Sequence, residues 1–118
     1  MKPFPPRAQI AFVIGAELDA ISLGRYQVTL FFNNLGRITV EHVLEYMGHD
    51  ATERHDIQKG MGAVRIHEVL AETVTRLDVE DWCLTLTFNS GRAFRILSIA
   101  GPLESGQIAI ADKGFWVF

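Results

Sequence analysis

A single cysteine in 118 residues leaves Cys83 without a partner for an internal disulfide, so the chain has to fold on its apolar core, and a reducing cytoplasm is the expected compartment. Apolar runs are short. None approaches the roughly 20 residues of a membrane-spanning helix, and the stretch 10–16 is too short and too poorly flanked to read as a signal peptide. Basic residues are in the minority, with 11 Lys and Arg against 14 Asp and Glu and a net charge of −3. Such a surface repels phosphate backbones and lacks the basic stripe of a nucleic-acid binder, so neither nucleic acid nor membrane is an expected partner. Low hydrophobicity is absent too: 48% hydrophobic against 21% charged residues excludes a disordered segment and predicts one domain over 1–118. Residues 1–9, proline-rich and carrying only positive charge, read as a flexible arm.

What is present is an internal repeat. Shifted by 56 residues, 21–33 aligns with 77–89, and Thr29, Leu30, Phe32 and Asn33 recur as Thr85, Leu86, Phe88 and Asn89. In both copies apolar residues fall on every second position, as a half-buried strand requires. Tyr26, Val28, Leu30 and Phe32 form one row, and Trp82, Leu84, Leu86 and Phe88 form the other. Asn33-Asn-Leu-Gly36 and Asn89-Ser-Gly91 tolerate positive φ and turn each chain back into Ile38/Val40 and Phe94/Ile96. With a further strand ahead of each row, the copies become three-stranded meanders over about 17–42 and 73–98. The polar stretch 48–61 reads as a loop with one helical turn, and the spacing of Val64, Ile66, Val69 and Leu70 predicts a short helix near 62–70. A final hairpin runs from Ile108/Ile110 through Asp112-Lys-Gly114 into Phe115-Trp-Val-Phe118, a strand too apolar to leave exposed. The expected fold is mainly β (α+β with one short helix): an antiparallel curved sheet or sandwich made of two repeated meanders.

The usual catalytic patterns fail one at a time. His49-Asp50 and His55-Asp56 do not match a zinc-ligand spacing. His67-Glu-Val-Leu-Ala71 opens like a zinc-protease helix but has alanine where the second histidine belongs. Gly60-Met-Gly62 is not preceded by a strand, and Arg65 replaces the third glycine of a dinucleotide loop. Ser105 lacks the glycine two residues before it that a nucleophile elbow needs. Cys83, beside Trp82, reads as inert packing. No catalytic, cofactor or metal residues are therefore assigned, and the chain is read as a non-enzyme. The acidic groups point elsewhere. Glu41 and Glu45, and Asp78 with Glu80 and Asp81 around Arg76, have spacings that place them as two acidic ridges, to which a basic protein partner would be drawn. Trp82 and Tyr26 border the second ridge, though their place in the apolar rows assigns them to the core.

Leu84-Thr-Leu-Thr-Phe-Asn-Ser-Gly91, Phe94-Arg-Ile96 and Leu103-Glu-Ser105, with Ile14-Gly15, Leu23-Gly-Arg-Tyr-Gln27, Ile38-Thr-Val-Glu41 and Glu72-Thr-Val74, resemble a family of small bacterial proteins of unknown function. Members of such families look like immunity proteins of toxin–immunity systems, contact-dependent growth inhibition among them. Ser98-Ile-Ala-Gly-Pro102 stands where that family has an acidic, aromatic stretch, and Gly106 stands where it has an aromatic residue. The resemblance implies a non-catalytic protein that neutralises a cognate toxin, such as a basic nuclease domain, by covering its active site. A small β ligand-binding or structural module is the other reading.

Overall fold

A computed structural model of the chain describes residues 3–60, 64–99, 104–111 and 114–118. Among these, the apolar rows become ten strands: β1 (Leu18–Leu23), β2 (Val28–Phe32), β3 (Gly36–Val40), β4 (Val43–Met47), β5 (Thr52–Asp56), β6 (Val74–Val79), β7 (Cys83–Phe88), β8 (Ala93–Leu97), β9 (Gly106–Ile110) and β10 (Gly114–Val117). One short helix, Arg7–Ile10, precedes them. The strands make two antiparallel five-stranded sheets, ordered β1-β2-β3-β9-β10 and β5-β4-β8-β7-β6, and neither closes on itself.

The repeat is visible in the hydrogen bonding. Every residue pair of the β1–β2 ladder, from Leu18 with Phe32 to Leu23 with Val28, returns in β6–β7 displaced by 56, including the bulge that skips Asp19 in one copy and Thr75 in the other. The two copies meet where Glu17 bridges Thr73. Around that bridge the bonds are reciprocal. Leu18 N–H donates to Glu72 O (2.9 Å) as Val74 N–H does to Ala16 O (3.0 Å), and Gly15 N–H donates to Val74 O (2.8 Å) as Ala71 N–H does to Leu18 O (2.8 Å). The copies are thus related by an approximate twofold axis, and Gly15 (φ 83°) and Ala71 (φ 69°) both adopt the left-handed conformation beside it.

Each meander is completed by the other copy. After β3 the chain leaves its own sheet, and the β4–β5 hairpin adds to β8; after β8, the β9–β10 hairpin adds to β3. Both rows turn inward: Leu30, Phe32, Leu86 and Phe88 join Ile38, Tyr46, Phe94 and Ile108 in a single core cluster, with Leu30 and Leu86 fully buried.

Several sequence expectations are corrected. The stretch 48–61, expected as a loop with one helical turn, has a 3-10 turn at Ile57–Lys59 but also contains β5, a polar edge strand that pairs with β4 without the apolar alternation that would have revealed it. The helix expected near 62–70 is a single 3-10 turn at Ile66–Val69; Ile66 and Val69 are buried like their equivalents Ile10 and Val13, and Leu70 faces out. Residues 61–63, with Met61 and Gly62 of the Gly60-Met-Gly62 stretch, residues 100–103 of Ser98-Ile-Ala-Gly-Pro102 and Leu103-Glu-Ser105, and Asp112-Lys113 of the last turn lie outside the described residues. The arm expected over 1–9 is docked in its described part. The Phe4 ring packs 4.4 Å from Phe118, its N–H donates to Asp81 O (3.1 Å), and the Arg7 guanidinium donates to Leu77 O. Of the terminal apolar residues Phe118 is buried, but Phe115 is 63% exposed.

Candidate functional site

The two sheets present equivalent outer faces with different chemistry. On the β5–β6 sheet, one row across the strands runs Asp78, Thr85, Arg95, Glu45, Arg54. Glu45 is central. Its two carboxylate oxygens accept from Arg54 (2.8 Å) and Arg95 (3.1 Å), 9 and 50 residues away in sequence. Arg76 and Asp78, two apart on one strand face, pair with each other at 2.9 and 3.3 Å. This face is therefore a neutralised charge ladder and not the acidic ridge expected from Glu45 and Asp78, because Arg54 and Arg95 reach Glu45 from the strands on either side and Arg76 pairs with Asp78 along its own strand. Glu41 does not share a strand face with Glu45. It sits in the bend after β3, where its Oε2 is buried without a hydrogen-bond partner; burial, reinforced by Glu104, raises its pKa against the opposing pull of His42.

Glu80 and Asp81 are different. They occupy the β6–β7 turn, are exposed, and form no ion pair among the described residues. Trp82 follows them at 44% exposure, and its equivalent Tyr26 is 51% exposed. Both aromatics were expected in the core. They lie outside because β7 begins at Cys83 and β2 at Val28, so the residue that continues the alternation on paper is already in the turn. The turn is pinned from three sides: Glu80 N–H donates to Cys83 O (2.9 Å), Ser98 N–H to Trp82 O (3.0 Å) and Phe4 N–H to Asp81 O (3.1 Å). The result is a tip, held by main-chain hydrogen bonds, that presents an indole and two exposed carboxylates outside any direct ion pair among the described residues, with Arg95 acting on Glu80 only at longer range.

The histidines are dispersed. His49 bonds the Ser90 carbonyl (2.8 Å), His55 pairs with Glu53 (3.0 Å), and His42 Nε2 is buried without a partner. Among the described residues no group of three or more His, Cys, Asp or Glu is arranged to hold a metal ion. Cys83 is buried, with its Sγ 3.9 Å from Thr85 Oγ1.

On the β1–β10 sheet the equivalent outer row is Ser22, Thr29, Thr39, Gln107, Val117, without a charge. Beside it Arg37 stands between Phe31 and Ala109 and has no ion pair among the described residues. With Asn33, Asn34 and Ile110 these residues line an open depression of about 360 Å³.

The fold and these surfaces define a two-sheet antiparallel β protein built on an internal twofold and carrying one acidic, aromatic tip. Compared with protein families, curated proteins and solved structures, the chain gave no match. No helix among the described residues is long and apolar enough to cross a membrane.

Proposed function

We propose that this chain is a non-catalytic binding protein, an immunity protein that acts in the cytoplasm and neutralises a cognate bacterial toxin by covering its active site. The observation that carries this reading is the β6–β7 tip. Glu80 and Asp81 project together with Trp82 from a turn held by main-chain hydrogen bonds, whereas Glu45 and Asp78 on the neighbouring face are matched by arginines. Exposed carboxylates speed the encounter with a basic surface, such as the active site of a nuclease domain, and an exposed indole on a turn held by main-chain bonds suits the centre of the contact. Asp78 and Arg76 lie on β6, which leads into the tip, while Glu41 follows β3 and Glu45 lies on β4.

The test is protection of cells producing the toxin domain encoded beside this gene, together with binding kinetics for the purified pair. Exchanging Glu80 and Asp81 for lysine should slow association at least about tenfold at low salt, and Trp82→Ala should speed dissociation. Absence of both protection and complex formation by the wild-type protein would refute the proposal. The depression around Arg37 favours a second reading, a small β module binding a ligand that carries a carboxylate, which titration with such ligands against Arg37→Ala would establish.

A further inference from the structure

Two open sheets leave four edges, and three are guarded. β1 is broken by the bulge at Asp19. β5 consists of Thr52 followed by Glu53, Arg54, His55 and Asp56. β6 carries the bulge at Thr75 and the Arg76–Asp78 pair, and the N-terminal segment bonds Leu77 O and Asp81 O along it. Charge, bulges and coverage are the devices by which sheets avoid pairing with other chains. Among the described residues β10, Gly-Phe-Trp-Val, shows none of them: no charge, no proline, no bulge in its ladder with β9, and Phe115 63% exposed.

Hydrogen bonding shows which groups this edge offers. Phe118 and Gly106 exchange both main-chain bonds (3.1 and 3.2 Å), so by antiparallel alternation Trp116 also faces its partner Ile108 across β9. The N–H and C=O groups of Phe115 and Val117 are left pointing away from the sheet.

We propose that β10 pairs antiparallel with β10 of a second copy of this chain, joining two five-stranded sheets into one of ten strands. A twofold axis through Trp116 sets Phe115 of each copy opposite Val117 of the other. In that register all four outward N–H groups find the four outward carbonyls. Phe115 contacts the opposing Val117 on the outer face, and the two Trp116 side chains meet on the inner face, at the closely spaced kind of antiparallel pair. Charge points to a copy as the occupant. The chain is acidic overall at −3, yet this edge is uncharged, so two copies meet here without like charges opposed, whereas a basic partner is drawn to Glu80 and Asp81 in the other sheet. With the remaining edges guarded, assembly stops at two. A four-residue strand buries less than the roughly 1,000 Å² of a stable interface, so the dimer depends on concentration.

Sedimentation equilibrium from micromolar to millimolar protein should show the mass climbing from 13.2 kDa towards twice that value. Val117→Pro removes one outward donor per copy without touching a bond to β9, and Phe115→Lys sets charge at the seam; each should weaken dimerisation at least about tenfold. Hydrogen exchange of the wild-type Phe115 and Val117 amides should slow as concentration rises, a readout that needs no variant. A mass fixed at 13.2 kDa at millimolar protein overturns the proposal, as does a dimer that both folded variants form undiminished. If Val117→Pro abolishes toxin binding by a monomeric wild-type protein, the edge serves a different chain and the second copy is excluded. Neither variant alters the β6–β7 tip, so the two proposals fail separately.

Discussion

Gly106 gives the sharpest test of how the two copies interlock. It pairs with Val40 at the start of β9, and an added Cβ would run into the Phe118 ring and the Thr39 carbonyl oxygen. The ring can retreat only by giving up its place against Phe4, and the carbonyl belongs to the β3 ladder. Overpacking a tight site costs about 1–3 kcal/mol, and with main chain among the obstacles Gly106→Ala should fall at about 2–3 kcal/mol. At an unfolding entropy of about 0.25 kcal/mol/K for a chain of this length, that lowers Tm by about 8–12 °C. Phe118→Ala should cost about 3–5 kcal/mol through loss of a buried ring. Since that substitution also removes half of the conflict at Gly106, the double variant should be less destabilised than the sum of the singles by about 1–2 kcal/mol. Urea unfolding of the four proteins measures the cycle. A Gly106→Ala variant within about 0.5 kcal/mol of wild type, or a strictly additive cycle, would refute this account of the site.

Other perturbations probe the remaining elements. Ala71 holds a left-handed conformation that its equivalent Gly15 adopts without strain, so Ala71→Gly should be neutral or stabilise by up to about 1 kcal/mol by thermal unfolding, the relief of strain outweighing the added freedom of the unfolded chain. Leu30→Ala and Leu86→Ala occupy equivalent buried positions and should each cost about 2–5 kcal/mol in chemical denaturation. Tyr46 is buried with its hydroxyl donating to Glu68 at 2.8 Å, and burial first, then this bond, pushes its pKa up to about 12. A pKa raised by folding adds stability that is complete below the unfolded value near 10 and lost as pH climbs through about 12; Tyr46→Phe should abolish that alkaline loss, as stability measured against pH would show. Glu45→Gln should cost no more than about 1 kcal/mol, because Arg54 is more than half exposed and Arg95 nearly half, and the loss should shrink in high salt.

Local pattern and register were legible before folding was considered. The period of two in residues 28–32 and 84–88 set Leu30 and Leu86 inward, the asparagine and glycine turns set the hairpins, and the offset of 56 announced two copies. β5 escaped notice because an edge strand needs backbone partners and not an apolar row, and Trp82 was misplaced because alternation does not mark where a strand begins. For the site, sequence spacing put Asp78 and Glu80 on one strand face, but β6 ends at Val79 and leaves Glu80 and Asp81 in the turn, and spacing could not tell the carboxylate paired with Arg76 from the exposed ones.

By itself the sequence determined the rows and the turns, since each depends on neighbours within one hairpin, and the duplication, which shows as a repeat at an offset of 56 residues. The tertiary structure alone decided that β4–β5 and β9–β10 cross to the opposite sheet, that Arg95 reaches Glu45 from 50 residues away, and that β10 ends its sheet unguarded. These features depend on which strands lie side by side, and burial of the whole core, through contacts distant in sequence, selects that arrangement.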